Sequence, residues 1–256
     1  MTSGKTARIL VIAGSDSGGG AGIQADIKTV TMLGGHAMTA ITAITAQNTR
    51  EVAEVFPLPL SLVEAQFRAV VDDIGVDAVK IGMLGTAALA NSVHDLLLTL
   101  PRDIPVVFDP VMIATSGGAL AGDGTVEAMQ RLLSLATVVT PNLPELEALG
   151  GEAVVLASAP AMLVKGGHAE GDLIVDRLLT PHGEAARWQD TRIHTTSTHG
   201  TGCTLASGIA TGLGQGMALE DAIDRARRFV RAALHAAPGV GTGHGPMGHQ
   251  AVRDLG

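Results

Sequence analysis

Short, continuously apolar runs alternate with longer segments of helical period along most of this chain, and that rhythm restricts the fold more than any other feature. Residues 8–13 open it, followed by a glycine-rich turn and a helical pattern over 22–33 that stops at Gly34-Gly35. Strand patterns at 38–46 and 51–56 and a helix over 61–74 come next, where Ser61 and Glu64 predict a capping box. A strand at 78–83, a helix at 87–98, a strand at 106–109, a helix at 125–135 and a strand at 137–140 continue the series. Strands without polar alternation are buried on both faces, and strand–helix–strand order builds a parallel sheet with helices on both sides. The rhythm breaks after 163–165: runs at 172–179 and 184–189 flank Pro181-His182-Gly183, which predicts an antiparallel edge hairpin. Two helices close the chain. The last, 219–237, carries Leu219, Ala222, Ile223, Ala226, Phe229, Val230, Ala233 and Leu234 as one apolar stripe. Arg225, Arg227, Arg228 and Arg231 sit at helical spacings from Glu220, Asp221 and Asp224, which predicts a solvated salt-bridge face. The fold class is therefore α/β, with a mainly parallel central sheet and an antiparallel edge hairpin.

Composition narrows the function. With 17 basic and 25 acidic residues the chain carries a formal charge of −8, the wrong sign for gripping nucleic-acid phosphates. The single cysteine, Cys203, cannot form an internal disulfide, which favours a reducing compartment. No apolar stretch approaches the roughly 18 residues of a membrane span, so the chain reads as cytoplasmic. Without a linker or composition break, residues 8–256 read as one domain, behind a disordered tail at 1–7 and with a loosely structured segment at 239–249. The 33 glycines exceed the background of roughly 7% and ask where they sit.

Several motifs answer. Ser3-Gly4-Lys5-Thr6 imitates a P-loop end but lacks the upstream glycine and strand, so it belongs to the tail. Gly20-Ala21-Gly22-Ile23-Gln24-Ala25 has the placement of a dinucleotide fingerprint, yet the next strand ends in Ala46-Gln47-Asn48 without a ribose-binding carboxylate. What survives is a helix N-terminus under a glycine loop, open to a flat or anionic ligand. His199-Gly200-Thr201-Gly202-Cys203 precedes a helical run over 204–213, so free amides of a first turn converge as an anion hole. The same helix end is expected to lower the Cys203 thiol pKa, against the plainer reading of a buried structural cysteine. Asp109, Asn142 with Glu145, and Lys165 all follow strands, on the edge where open α/β sheets bind ligands. Two carboxylates and a lysine there suit a metal-bound nucleotide phosphate, whereas Glu145 alone would read as a helix-start carboxylate. His244 and His249 lack partners at zinc-ligand spacing and read as flexible tail.

Taken together, Ala13-Gly14-Ser15-Asp16, the run from Gly19 to Asp26, Ala46-Gln47-Asn48-Thr49, Lys80-Ile81-Gly82-Met83, Thr140 through Glu145, Lys165-Gly166-Gly167-His168, His199 through Cys203 and Gly243-His244-Gly245-Pro246 resemble the hydroxymethylpyrimidine and hydroxymethylpyrimidine phosphate kinases of thiamine biosynthesis. The resemblance implies a three-layer ribokinase-like fold, a homodimer, and ATP with Mg²⁺ phosphorylating first the hydroxymethyl group and then the monophosphate. It places Gly14, Asp26, Gln47 and Met83 at the pyrimidine, Asp109, Asn142 and Lys165 at ATP, and Glu145 at the metal. Gly200, Thr201, Gly202 and Cys203 become the catalytic anion hole. An amide such as Gln47 can meet an aminopyrimidine edge, and Met83 offers an adaptable apolar face. Much of the superfamily has an aspartate base where this chain has Cys203. Two readings stay open: the thiol serves as the base, for which Cys203→Ser should cut turnover by well over tenfold, or the amides carry catalysis.

The chain also departs from that family. The segment 150–161 is about a dozen residues short, so a peripheral helix is lost or shrunken. Thr115-Ser116-Gly117 replaces an expected Lys-Ser-Gly, which points to a weaker second phosphorylation, and Ser17-Gly18 replaces Pro-Ser. A pyridoxal or thiazole-alcohol kinase is the nearest competing function. A pyrimidine-binding protein without catalysis is the competitor from another class.

Overall fold

The computed structural model of the protein describes residues 6–112, 124–168 and 171–253. The Ser3-Gly4-Lys5 part of the P-loop-like motif and the Thr115-Ser116-Gly117 position lie outside the described residues. Ala7, assigned above to the tail, is buried, and its carbonyl accepts from His36 N at 2.8 Å.

The described elements are β1 (Arg8–Asp16), α1 (Gly22–Met32), β2 (His36–Gln47), β3 (Val52–Pro57), α2 (Leu60–Asp73), β4 (Ala78–Ile81), α3 (Ala87–Leu97), β5 (Val106–Phe108), α4 (Thr125–Leu132), β6 (Val138–Val139), α5 (Leu143–Ala148), α6 (Glu152–Leu156), β7 (Met162–Val164), β8 (Leu173–Thr180), β9 (Gly183–Thr191), α7 (Thr201–Gly214) and α8 (Leu219–His235). They build one sheet in the order β3-β2-β1-β4-β5-β6-β7-β8-β9. From β2 to β7 all pairings are parallel, as the unbroken apolar runs require, and β8–β9 forms the expected antiparallel edge. At the other edge β3 pairs antiparallel with β2.

Two apolar layers sandwich the sheet. Phe67, Leu89, Val93, Met129, Leu132, Leu146 and Val155 from α2 to α6 fill one face. Val30, Leu205, Ile209, Ala222, Ile223 and Ala226 from α1, α7 and α8 fill the other. The α8 stripe packs as its period predicts, with Phe229 and Ala233 buried toward the C-terminal segment.

Four local expectations are corrected. The Ser61–Glu64 capping box does not form: Pro59, with its fixed φ, is the N-cap, so the helix starts at Leu60 and Ser61 is already inside it. Glu64 Oε1 instead accepts from Ser92 Oγ at 3.0 Å. The arginine face of α8 is only partly solvated. Arg228 does pair with Asp224 at 3.1 Å, but Arg227 is buried, donating to Asp176 at 2.7 Å and Asp190 at 2.6 Å, because the β8–β9 hairpin lies against the helix. The 239–249 segment is packed: His199 N donates to Gly245 O at 3.1 Å, His244 N to Thr49 O at 2.7 Å and Gly248 N to Ala233 O at 2.9 Å. His249 is fully buried against Thr204 at 2.8 Å and is pushed down to about 4 by burial, so it is no tail histidine. The 150–161 segment holds α6, a helix of five residues.

Candidate active site

The chain runs from β1 to β2 on one side and later to β4 on the other, and ligands bind outside the carboxyl ends of strands at such a reversal. A cavity of about 1140 Å³ lies there. Gly14 and Asp16 reach it from β1, Gln47 from β2, Met83 from beyond β4, Asp109 from beyond β5, Asn142 and Glu145 from beyond β6, and Lys165 from beyond β7. The N-terminus of α7, with Gly200, Thr201, Gly202 and Cys203, closes the cavity from the far wall.

At one end, Gly14 forms the floor: a Cβ there would lie 3.0 Å from Met83 Sδ. The glycine loop after β1 is folded around a carboxylate. Asp16 accepts from Gly18 N at 2.8 Å, Gly20 N at 2.9 Å and Ala21 N at 2.8 Å, so these amides of the loop and of the helix cap are occupied from within the chain. His199 Nε2 lies 2.9 Å from the same carboxylate. Burial opposes its charge, but His199 and the Ala21 and Gly18 amides hold the carboxyl below its ordinary value. One end of the Gln47 side-chain amide lies 3.2 Å from His199 Nε2 and the other 3.2 Å from Thr45 Oγ1, and the Gln47 backbone N donates to Ser17 Oγ at 2.8 Å, which gives Ser17 a role.

Asp26 does not line the cavity. It is fully buried behind the wall, where both carboxylate oxygens accept from Lys80 Nζ at 3.0 Å and Oδ1 also accepts from Ser207 Oγ at 2.7 Å. Of the pair, Lys80 borders the cavity, although it too is fully buried. Burial works against its ammonium, but Asp26, with Cys203 and Asp109, outweighs that and holds it charged.

At the other end Lys165 Nζ donates to Asp109 Oδ1 at 2.7 Å and lies 3.8 Å from Glu145 Oε2. Thr140 Oγ1 donates to the same Asp109 oxygen at 3.1 Å. Asn142 and Glu145 form a full capping box on α5: Asn142 Oδ1 accepts from Glu145 N and Glu145 Oε2 from Asn142 N, both at 2.8 Å. The plain reading of Glu145 as a helix-start carboxylate and its place in the site therefore hold together. Burial pushes Glu145 up to about 6, with Lys165 pulling against it and Asp109 adding to it. Gly202 faces this cluster, since a Cβ there would lie 3.3 Å from Lys165 Nζ.

Gly200 caps α7 with a φ of 82°, a left-handed conformation that glycine adopts without strain. It presses against the first glycine loop, where a Cβ would lie 2.9 Å from the Gly20 carbonyl carbon. The cap has no side-chain partner; Thr201 N donates to Thr198 O at 3.4 Å, and Gly202 and Cys203 of the first turn of α7 lie on the cavity wall, where a helix N-terminus favours an anion. The expected lowering of the Cys203 thiol is reversed. Burial pushes it up to about 11; Lys80 and the Gly22 backbone hydrogen bond pull it down, but burial together with Asp26 and Asp109 outweighs them.

Sequence reasoning missed the Asp16–His199 and Asp26–Lys80 pairs as pairs, and the strut from Arg227 through Asp176 to Gly166 N at 2.9 Å. A lysine within the otherwise apolar strand at 78–81 was the available signal for the second of these.

Among the described residues no helix is long and apolar enough to cross a membrane, and no three His, Cys, Asp or Glu side chains are gathered to hold a metal. Residues 16–248 match the family described as phosphomethylpyrimidine kinase. A hydroxymethylpyrimidine/phosphomethylpyrimidine kinase of Streptomyces coelicolor is 46% identical over 94% of this chain and 93% of its own. The thiamine biosynthesis bifunctional protein ThiED of Geobacter sulfurreducens is 45% identical over 94% of this chain and 52% of its own. The structure of the Staphylococcus aureus pyridoxal kinase in complex with AMP-PCP and pyridoxal aligns with a TM-score of 0.86 at 31% identity, covering 97% of this chain and 95% of that one.

Proposed function

The chain belongs to the phosphomethylpyrimidine kinase family, and from that premise we propose that it uses ATP to phosphorylate 4-amino-5-hydroxymethyl-2-methylpyrimidine and then its monophosphate, for thiamine biosynthesis. One observation carries the reading: a single cavity joins a small flat end, at Gly14, Gln47 and Met83, to an anion end under the α7 N-terminus and Lys165. The acceptor hydroxyl sits at the junction, beside Cys203. Asp109, Asn142 and Lys165 hold the nucleotide phosphates, with Lys165 as the point charge. Mg²⁺ would be held chiefly through Glu145, with Asp109 beside it, whose hard oxygens suit an ion that keeps several waters and binds through one or two carboxylates. When bound, the ion draws charge from the transferred phosphoryl group.

Gly200, Thr201, Gly202 and Cys203 offer oriented amides to that group, and phosphoryl transfer depends chiefly on such positioning and charge stabilisation. Burial and the nearby Asp26 and Asp109 favour the protonated thiol of Cys203, which supports the reading in which the amides rather than a thiolate base carry the step. Residues 8–256 act as one kinase domain. The negative charge argues against nucleic-acid partners and the single cysteine fits a reducing, cytoplasmic compartment, while the homodimer rests on the family resemblance alone. A pyridoxal-directed activity is the second reading, favoured by the fold match to a pyridoxal kinase. Incubation with Mg-ATP and the pyrimidine alcohol, with products followed by mass spectrometry, should show the monophosphate and then the diphosphate. Unchanged alcohol would refute the proposal.

A further inference from the structure

We infer that His199, anchored by Asp16, fixes the Gln47 side-chain amide with its oxygen toward the imidazole and an N–H toward the substrate, and so sets which ring atom the pocket reads. The inference rests on the reading above that Gln47 meets the pyrimidine. Two independent chains of hydrogen bonds lead to it. The first starts at Asp16, a carboxylate that already accepts three backbone amides and is held ionised. Such a group can only accept, so the His199 Nε2 atom 2.9 Å away carries the proton. The same nitrogen lies 3.2 Å from the end of the Gln47 amide, and two N–H groups cannot face each other there. The two ends of a carboxamide have the same shape, so partners decide its orientation, and the end beside His199 is the oxygen.

The second chain starts at Thr45. Its hydroxyl has one proton, and the hydroxyl donates to Ser15 O at 2.9 Å. Toward the other end of the Gln47 amide, 3.2 Å away, Thr45 Oγ1 can then only accept, which calls for the nitrogen. Both chains give the same orientation. One N–H of Gln47 is spent on Thr45 and the other is free for the cavity. A free N–H pairs with a ring nitrogen and is left unsatisfied by a ring C–H, and such a mismatch discriminates strongly between otherwise similar ligands. His199 is thus a positioning residue for recognition and touches the substrate only through Gln47.

The test measures steady-state constants for the pyrimidine alcohol with Gln47→Ala, His199→Ala, the double variant and His199→Gln, together with wild-type binding of two analogues that each replace one ring nitrogen by C–H. Gln47→Ala and His199→Ala should each raise KM about tenfold or more with kcat within threefold. The double variant should be no worse than the singles. His199→Gln, whose amide can donate to both neighbours, should bring KM back to within about threefold of wild type. One analogue should bind the wild-type protein at least tenfold more weakly. The inference is overturned if Gln47→Ala raises KM while His199→Ala leaves it within twofold, if the two effects multiply in the double variant, or if both analogues bind as well as the substrate. An unchanged KM for Gln47→Ala overturns the pocket reading itself, which separates the two failures. Should His199→Ala not fold, His199→Gln and the analogue experiment together still test the inference.

Discussion

Replacing Lys80 by methionine should be among the most destabilising single changes in the molecule. Neither Lys80 nor Asp26 has any solvent exposure, and the ammonium lies 3.0 Å from both carboxylate oxygens. Methionine is close in length and apolar, so the packing loss is small and the electrostatic loss dominates. Without Lys80, Ser207 Oγ at 2.7 Å is left as the nearest donor to a desolvated carboxylate. Removing one member of a buried ion pair costs about 3–5 kcal/mol, against a total stability of about 5–15 kcal/mol for a folded domain. At about 2–4 °C per kcal/mol for a chain of this length, Tm should fall by about 6–20 °C. Urea unfolding followed by circular dichroism measures the difference directly. Adding Asp26→Leu should recover most of it, since a packed apolar pair replaces a buried ion pair at little net cost. A single variant within 1 kcal/mol of wild type, or a double variant less stable than the single, would refute the reasoning.

Three further outcomes follow from the site. Gly200→Ala forces a left-handed residue and a Cβ against the Gly20 carbonyl, displacing the anion hole, and a shift of about 1 Å there costs about a hundredfold in kcat; a kcat within threefold of wild type would contradict this. For Cys203, a thiolate base with a value of about 11 would make kcat climb about tenfold per pH unit from 7 to 9. The account expects no such climb and, revising the expectation from sequence, less than a tenfold loss in Cys203→Ser; a steep limb abolished by that variant would restore the base role. Glu145, raised to about 6, protonates as pH falls through that value, so kcat/KM for Mg-ATP should drop below pH 6 and the drop should vanish in Glu145→Gln. Its folded value lies above the ordinary 4.5, so its contribution to stability declines as pH rises between these two values, opposite in sign to the activity.

The architecture was legible because parallel strands buried on both faces leave continuous apolar runs, and the glycine and lysine motifs fall at their ends. Gly14, Gln47, Met83, Asp109, Asn142, Glu145 and Lys165 all reach the one cavity, as do Gly200 to Cys203. Asp26 was placed at the pyrimidine by the family resemblance alone, and nothing local in the sequence reveals that Lys80 and Ser207 hold it behind the wall. The Cys203 shift was misjudged because a helix end is visible in sequence, whereas desolvation and the approach of Asp26 and Asp109 arise only on folding. Arg227 deceived in the same way: its partners Asp176 and Asp190 lie on a hairpin far away in the chain, while Asp221 and Asp224 lie close by in sequence. The packing of the 239–249 segment, finally, comes mostly from backbone contacts with residues such as Thr49 and Ala233, which no local pattern announces.

The central claim is that the flat end of the cavity is shaped for an aminopyrimidine alcohol. ADP release under Mg-ATP, measured with the pyrimidine alcohol, its monophosphate, pyridoxal and the thiazole alcohol in parallel, tests it most directly. The account predicts that kcat/KM for the pyrimidine alcohol exceeds that for pyridoxal and the thiazole alcohol by at least tenfold, with the monophosphate also consumed. A pyridoxal value equal to or above the pyrimidine value, or ADP release no faster than without an acceptor, would contradict it.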